Sequence, residues 1–132
     1  MDQKNDMNDL EVTLFSFGFK YGAPVDATIV WDVRFLPNPY WEESLRHLTG
    51  RDESIKRYVL QSRSGEEFLA LLVPLLRFLL RENRTADKKT LRLGVGCTGG
   101  HHRSVAVVEH LAELLARDGV SLKIEHRDID NE

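Results

Sequence analysis

Gly94-Val95-Gly96-Cys97-Thr98-Gly99-Gly100-His101-His102-Arg103-Ser104 joins an apolar, β-type run at residues 91–95 to a helix-type run at residues 104–116. A strand that turns through a glycine-rich loop directly into a helix is the building unit of an α/β fold. The same joint has a chemical consequence. The first N–H groups of a helix have no partner within it, and they sit at the positive end of its dipole. A loop that gathers such groups suits an anion. Arg103 adds a planar, permanently charged fork that matches phosphate. The stretch therefore reads as a phosphate-binding loop.

The remainder of the chain limits what the loop can serve. With 132 residues, 42% of them hydrophobic, there is material for one domain with one core. A formal charge of −3 gives no general pull toward nucleic acid or acidic lipid. One cysteine excludes an internal disulfide framework. The most apolar segment, residues 68–80, contains Pro74 and Arg77 and is too short to span a bilayer. The start lacks the apolar centre of a signal peptide. A soluble, cytoplasmic protein with a reduced thiol and no membrane partner is expected.

Outward from the loop, residues 12–19 and 28–33 are rich in β-branched and aromatic side chains and predict two further strands. Residues 120–125 alternate as a last one. Helices are predicted at 41–47, at 52–61, from a capping box at Ser64-Gly65-Glu66-Glu67 to about residue 82, and from 104 to 118, where Gly119 stops the last. Pro74 should kink the long helix. Its nearly all-round apolar character implies a core position or cover by a partner subunit. The expected architecture is an α/β layered sandwich with a mostly parallel sheet flanked by helices. Residues 1–10 are expected to be a flexible N-terminus, 11–128 a single domain, and 129–132 an acidic tail.

Three readings of the glycine loop compete. Gly94, Gly96 and Gly99 satisfy a dinucleotide fingerprint, but the strand should still run through Gly94 and no acidic residue follows at the end of a next strand. No Gly-Lys-Ser/Thr follows, which removes a nucleoside-triphosphate loop. In the second reading, Cys97, five residues, then Arg103 and Ser104 have the spacing of cysteine-dependent phosphatases. Cys97 would be the nucleophile, Arg103 the clamp on phosphate oxygens and Asp32 a general acid. In the third, the loop is a cradle without chemistry. Thr98, Gly99 and Gly100 offer N–H groups, Arg103 and Ser104 side chains, and His102 a ring donor. No cofactor is implied, and Cys97, His101 and His102 are badly placed to share a metal ion.

A second unusual stretch is Trp31-Asp32-Val33-Arg34-Phe35-Leu36-Pro37-Asn38-Pro39-Tyr40-Trp41. Asp32 and Arg34 share one side of an extended chain. Either they form a structural ion pair, or Asp32 accepts from ligand hydroxyls or an amine while Arg34 and Asn38 support the anion. Arg46, His47, Thr49-Gly50 and Arg63 could supply a rim, although solvated loop positions account for each.

Taken together, Ser16-Phe17-Gly18-Phe19-Lys20-Tyr21-Gly22, the Asp32 to Pro39 stretch, Leu48-Thr49-Gly50 and the loop with His102-Arg103-Ser104 resemble the C-terminal domain of the RapZ family. Members are RNase adapters, also called YvcJ-type nucleotide-binding proteins. The resemblance runs from about residue 12 to 127 and does not include the family's N-terminal P-loop domain. It implies sensing of an amino-sugar phosphate, glucosamine 6-phosphate, by Thr98, Gly99, His102 and Arg103, with Asp32, Arg34 and Asn38 in the same pocket. It also implies a homodimer or higher oligomer, and in some members binding of small RNA. Tyr40 and His101 depart from the histidine and lysine that members can carry. The tail, Asp128-Ile129-Asp130-Asn131-Glu132, is acidic where RNA-binding members are basic, which removes phosphate contacts.

Overall fold

The computed structural model describes residues 10–131. The flexible N-terminus expected at 1–10 falls outside it except for Leu10, which is buried in the core. Four strands, β1 (Glu11–Gly18), β2 (Ile29–Asp32), β3 (Thr90–Cys97) and β4 (Ser121–His126), form one sheet of order β2-β3-β1-β4. Every pairing is parallel. Three helices accompany them: α1 (Glu53–Leu60), α2 (Arg63–Thr85) and α3 (Arg103–Arg117). This is the α/β sandwich that the alternation of strands and helices implies.

Alternation of side chains along the strands divides the sheet into two unlike faces. Val12, Leu14, Leu91, Leu93 and Val95 join one hydrophobic cluster with Ile55 and Val59 of α1, Leu72, Leu76 and Leu80 of α2, and Val107, Val108 and Leu111 of α3. Each fully buried leucine of this kind contributes about 1.5–3 kcal/mol. The opposite face carries Phe15 and Phe17, also buried. Their register partners on β3 are Gly94 and Gly96. A Cβ on Gly96 would stand 2.5 Å from the Phe17 ring and 2.6 Å from that of Phe19. The two glycines are thus a bed for aromatic rings. Arginines lie over the rings from outside: Arg92 over Phe15 at 4.7 Å, Arg127 over Phe17 at 5.4 Å and Arg34 over Phe19 at 4.1 Å.

Several local expectations are corrected. No helix forms at 41–47; a single 3-10 turn, Pro39–Trp41, is followed by further turns. Asn38 starts that turn by accepting the Tyr40 N–H, and the Tyr40 carbonyl then goes to the Arg46 side chain rather than to a helical N–H. Helix α2 is capped by Ser62, whose hydroxyl accepts the Gly65 N–H at 3.0 Å, and not by a box at Ser64. It runs 23 residues, continuing through Pro74 to Thr85. Its sides differ: Leu72, Leu76 and Leu80 are buried, whereas Leu71 is 70% exposed and Leu75 and Phe78 are each 46% exposed. Among the described residues no helix is long and apolar enough to cross a membrane.

One buried polar chain ties the sheet to α3. The Ser16 hydroxyl meets His126 Nδ1 at 2.7 Å, and His126 Nε2 meets Glu109 at 2.7 Å. Each group has a partner, which removes most of the cost of burying it.

Candidate functional site

Because all four strands are parallel, their carboxyl ends lie along one edge, and loops from every strand meet there. The glycine loop leaves β3 at Cys97 and enters α3 at Arg103. Close backbone contact with the end of β1 fixes its path. A Cβ on Gly18 would stand 2.5 Å from the Gly99 carbonyl carbon, and one on Gly100 would stand 2.7 Å from Gly18 N. Gly100 is also in the left-handed region, at φ 78°. The Thr98 carbonyl accepts from Lys20 N, and the His101 carbonyl from Gly50 N. Among the described residues, no protein oxygen accepts from the N–H groups of residues 98–102.

Arg103, the first residue of α3, lies on the same cleft-forming edge as Thr98 and Gly99 and is 5% exposed. One terminal nitrogen donates to the carbonyls of Arg34 at 2.7 Å and Leu36 at 3.3 Å; the other donates to Thr98 Oγ1 at 3.3 Å. Its Nε is buried without a partner. No carboxylate pairs with it among the described residues. Its hydrogen bonds go to neutral oxygens, while the Asp32 carboxylate acts on it only through longer-range attraction, so a closer anion would be favoured there.

His102 is buried, and its Nε2 donates to the Arg46 carbonyl at 3.0 Å. Burial pushes its pKa down, against the opposing pull of that carbonyl, so the neutral ring is favoured. The ring nitrogen that the sequence offers to a ligand is therefore occupied by the 39–50 segment. Ser104 is buried too; its hydroxyl lies 3.2 Å from Cys97 Sγ and its N–H donates to the same sulfur at 3.4 Å.

Asp32 and Arg34 form a two-pronged ion pair, with Arg34 donating at 2.9 Å and 2.6 Å. The Arg34 hydrogen bond holds the Asp32 carboxyl below its usual value, and both side chains are about half exposed. Neither lines the cleft described below. Their structural role is visible: Arg34 presents its carbonyl to Arg103 and its guanidinium to Phe19.

The C-terminal segment completes the edge. Asp128 accepts the Gly18 N–H at 2.7 Å, and Arg127 donates to Asp128 and to the Gly22 carbonyl. Burial alone would raise the Asp128 pKa, but hydrogen bonds from Arg127, Gly18 and Asn131 more than offset this and lower it. His101 Nε2 meets the Asn131 carbonyl. The result is a cleft of about 780 Å³ between the glycine loop, the 38–49 segment and residues 129–131. Of the residues anticipated from sequence, Asn38, Thr98, Gly99, His102 and Arg103 line it, with Cys97, Arg46, His47 and Thr49. Gly100 and Ser104 sit behind the loop, and Arg63 is exposed elsewhere, near Glu67. Lys20, Trp41, Asp130 and Asn131 also line the cleft and were not anticipated, and His101, a neighbour of the cradle, lines it as well.

Residues 10–130 match the family model of the RapZ C-terminal domain. The chain belongs to this family. Among curated relatives of the RapZ C-terminal domain, a nucleotide-binding protein of Frankia alni is 50% identical over 95% of this chain and 43% of its own length. A nucleotide-binding protein of Heliobacterium modesticaldum is 46% identical, over 95% of this chain and 42% of its own. One from Brevibacillus brevis is 47% identical, over 92% and 41%. The chain thus spans less than half the length of the curated relatives it matches. The matched region includes every wall of the cleft up to Asp130.

Proposed function

We propose that the cleft binds a phosphorylated metabolite, an amino-sugar phosphate as the RapZ resemblance implies, and that the domain senses this ligand without transforming it. The carrying observation is Arg103, a buried guanidinium without a carboxylate hydrogen-bonded to it, which lines the cleft beside Thr98 and Gly99 of the glycine loop and whose Nε has no partner. A phosphate there would gain charge-assisted hydrogen bonds and neutralise the buried charge. The amine has a counterpart across the cleft: Asp130, the one carboxylate lining it among the described residues.

Calorimetry with glucosamine 6-phosphate, glucose 6-phosphate and inorganic phosphate tests this reading. Arg103→Ala should weaken all three by about ten- to hundredfold, the value of a hydrogen bond to a charged group. Thr98→Val gives a milder loss and leaves the bracing of residues 34–36 intact. Asp130→Asn should weaken the amino sugar and leave glucose 6-phosphate unchanged. Wild-type protein that binds none of these compounds, or binding indifferent to both loop variants, would end the proposal.

A second reading draws on Cys97, which lines the cleft and receives the Ser104 N–H on its sulfur. A thiolate so placed could attack phosphorus, forming an S–P bond as the ester P–O bond breaks and the alkoxide leaves with a proton from water. A second water would then hydrolyse the S–P bond, with Arg103 as clamp on the remaining oxygens. Asp32 does not suit the acid's role, because its partner Arg34 keeps it ionised. Ester turnover in the same samples, abolished by Cys97→Ser, would favour this reading over sensing.

A further inference from the structure

We propose that the cleft contains a second subsite, the Tyr40–Trp41 shelf, and that it takes a nucleoside 5′-monophosphate with its phosphate on the glycine loop and its base on Trp41. The proposal rests on the reading of that loop as a phosphate site. Trp41 is 74% exposed and Tyr40 49% exposed, although both line the cleft. An indole this open to water at the wall of a polar cleft leaves surface free for stacking beyond its perpendicular contact with Tyr40.

The shelf is built and held in place. Tyr40 and Trp41 meet edge to face with centroids 5.3 Å apart, and the Arg46 guanidinium lies 5.0 Å from the Tyr40 ring. Asn38 fixes the turn by accepting the Tyr40 N–H, and Arg46 Nε donates to the Tyr40 carbonyl at 2.8 Å. The Arg46 carbonyl in turn accepts from His102 at the base of the glycine loop. Shelf and loop are thereby in fixed relation, so little ordering remains to oppose a ligand that touches both. The cleft, about 780 Å³, lies in the size range of small-molecule pockets. Every nucleobase has a π face, and Arg46 adds positive charge beside the shelf.

Calorimetry with adenosine 5′-monophosphate and ribose 5-phosphate, on wild type and Trp41→Ala, tests the subsite. Stacking of one base corresponds to about a 5- to 150-fold gain in affinity. The nucleotide should show a gain of this size over ribose 5-phosphate, and Trp41→Ala should erase it while leaving ribose 5-phosphate unchanged. Trp41 is exposed, so the variant should retain its fold, which circular dichroism checks. Equal affinities for the two ligands would overturn the proposal. So would a Trp41→Ala loss that is as large for ribose 5-phosphate, because the shelf would then stack the sugar. If phosphosugars bind and the base adds nothing, only this inference fails; if no phosphate compound binds, the phosphate reading fails with it. A 5′-phosphorylated tetranucleotide distinguishes the source of the unit. A Trp41-dependent gain larger than that of the mononucleotide assigns the shelf to the end of a nucleic acid, and an equal or smaller one to a free nucleotide.

Discussion

His102 serves as a packing residue and as the hinge pin between two loops. Its ring is buried, it donates to the Arg46 carbonyl, and its pKa is lowered from 6.5 chiefly by burial. The unfolded chain therefore binds a proton more readily than the folded one, and stability rises with pH across the interval between the two values. His102 contributes fully above about pH 6.5 and loses its contribution as pH falls from there toward the folded value. His110, lowered by burial as well, acts in the same direction. Urea unfolding from pH 7.5 to 5 should show wild type losing stability below 6.5. His102→Gln should flatten part of that slope; a slope unaltered by the substitution would contradict this account. At this scale the sequence was informative about the loop and less so about its opposing wall. Thr98, Gly99 and Arg103 are local to one strand–helix joint, so spacing reveals them. Lys20 and Asp130 reach the same cleft only through the sheet order, and no local pattern signals that. Asp32 and Arg34 were half legible: their shared side was readable from alternation, but whether they would face a ligand or each other depended on the path of the chain after β2.

At the scale of elements, the face of the sheet bearing Phe15 and Phe17 explains glycines that a motif reading assigns to ligand binding. Gly94 and Gly96 lie within β3 and lend their missing side chains to three phenylalanine rings. Gly96→Ala would push a methyl group into Phe17 and Phe19, and overpacking of this kind costs about 1–3 kcal/mol. The urea midpoint should fall with little change in m-value, while far-UV circular dichroism stays native-like. An alanine variant as stable as wild type would mean that the rings move aside without cost. Strands and the three long helices were readable from periodicity because burial on one side imposes it. The 41–47 stretch misled because its apolar Trp41 and Leu45 mimic a helical face. Glu42 accepts the Leu45 and Arg46 N–H groups, but the Arg46 carbonyl goes to His102, a tertiary partner that local sequence cannot show, and the Arg46 side chain to the Tyr40 carbonyl. Likewise Ser62 displaces Ser64 as cap because Gly65 must pack against the end of α1.

For the whole molecule, helix α2 carries the question of self-association. Leu71, Leu75 and Phe78 recur at helical spacing on its exposed side. If the oligomer implied by the family resemblance uses this stripe, light scattering on the eluting protein should give a multiple of 15.2 kDa for wild type and the monomer mass for Leu75→Glu. Equal masses for the two proteins would take the stripe out of any interface. The parallel sandwich itself was legible, since alternating strands and helices leave few other solutions. The strand order was not, because β1 and most of β3 are buried on both faces and nothing local ranks their neighbours.

That order has a consequence for how the protein is made. β1 precedes its partners in the chain: among the described residues it pairs with β3 and β4, and Gly18 receives its Asp128 partner from 110 residues downstream. Such distant pairings fold slowly, and the first strand must stay soluble until the last has been synthesised. A chain cut before Asp128 would lack the clasp on Gly18 and the wall of the cleft formed by residues 129–131. The edge of the sheet that carries the cleft is thus closed only after β4 and Asp128 have joined β1.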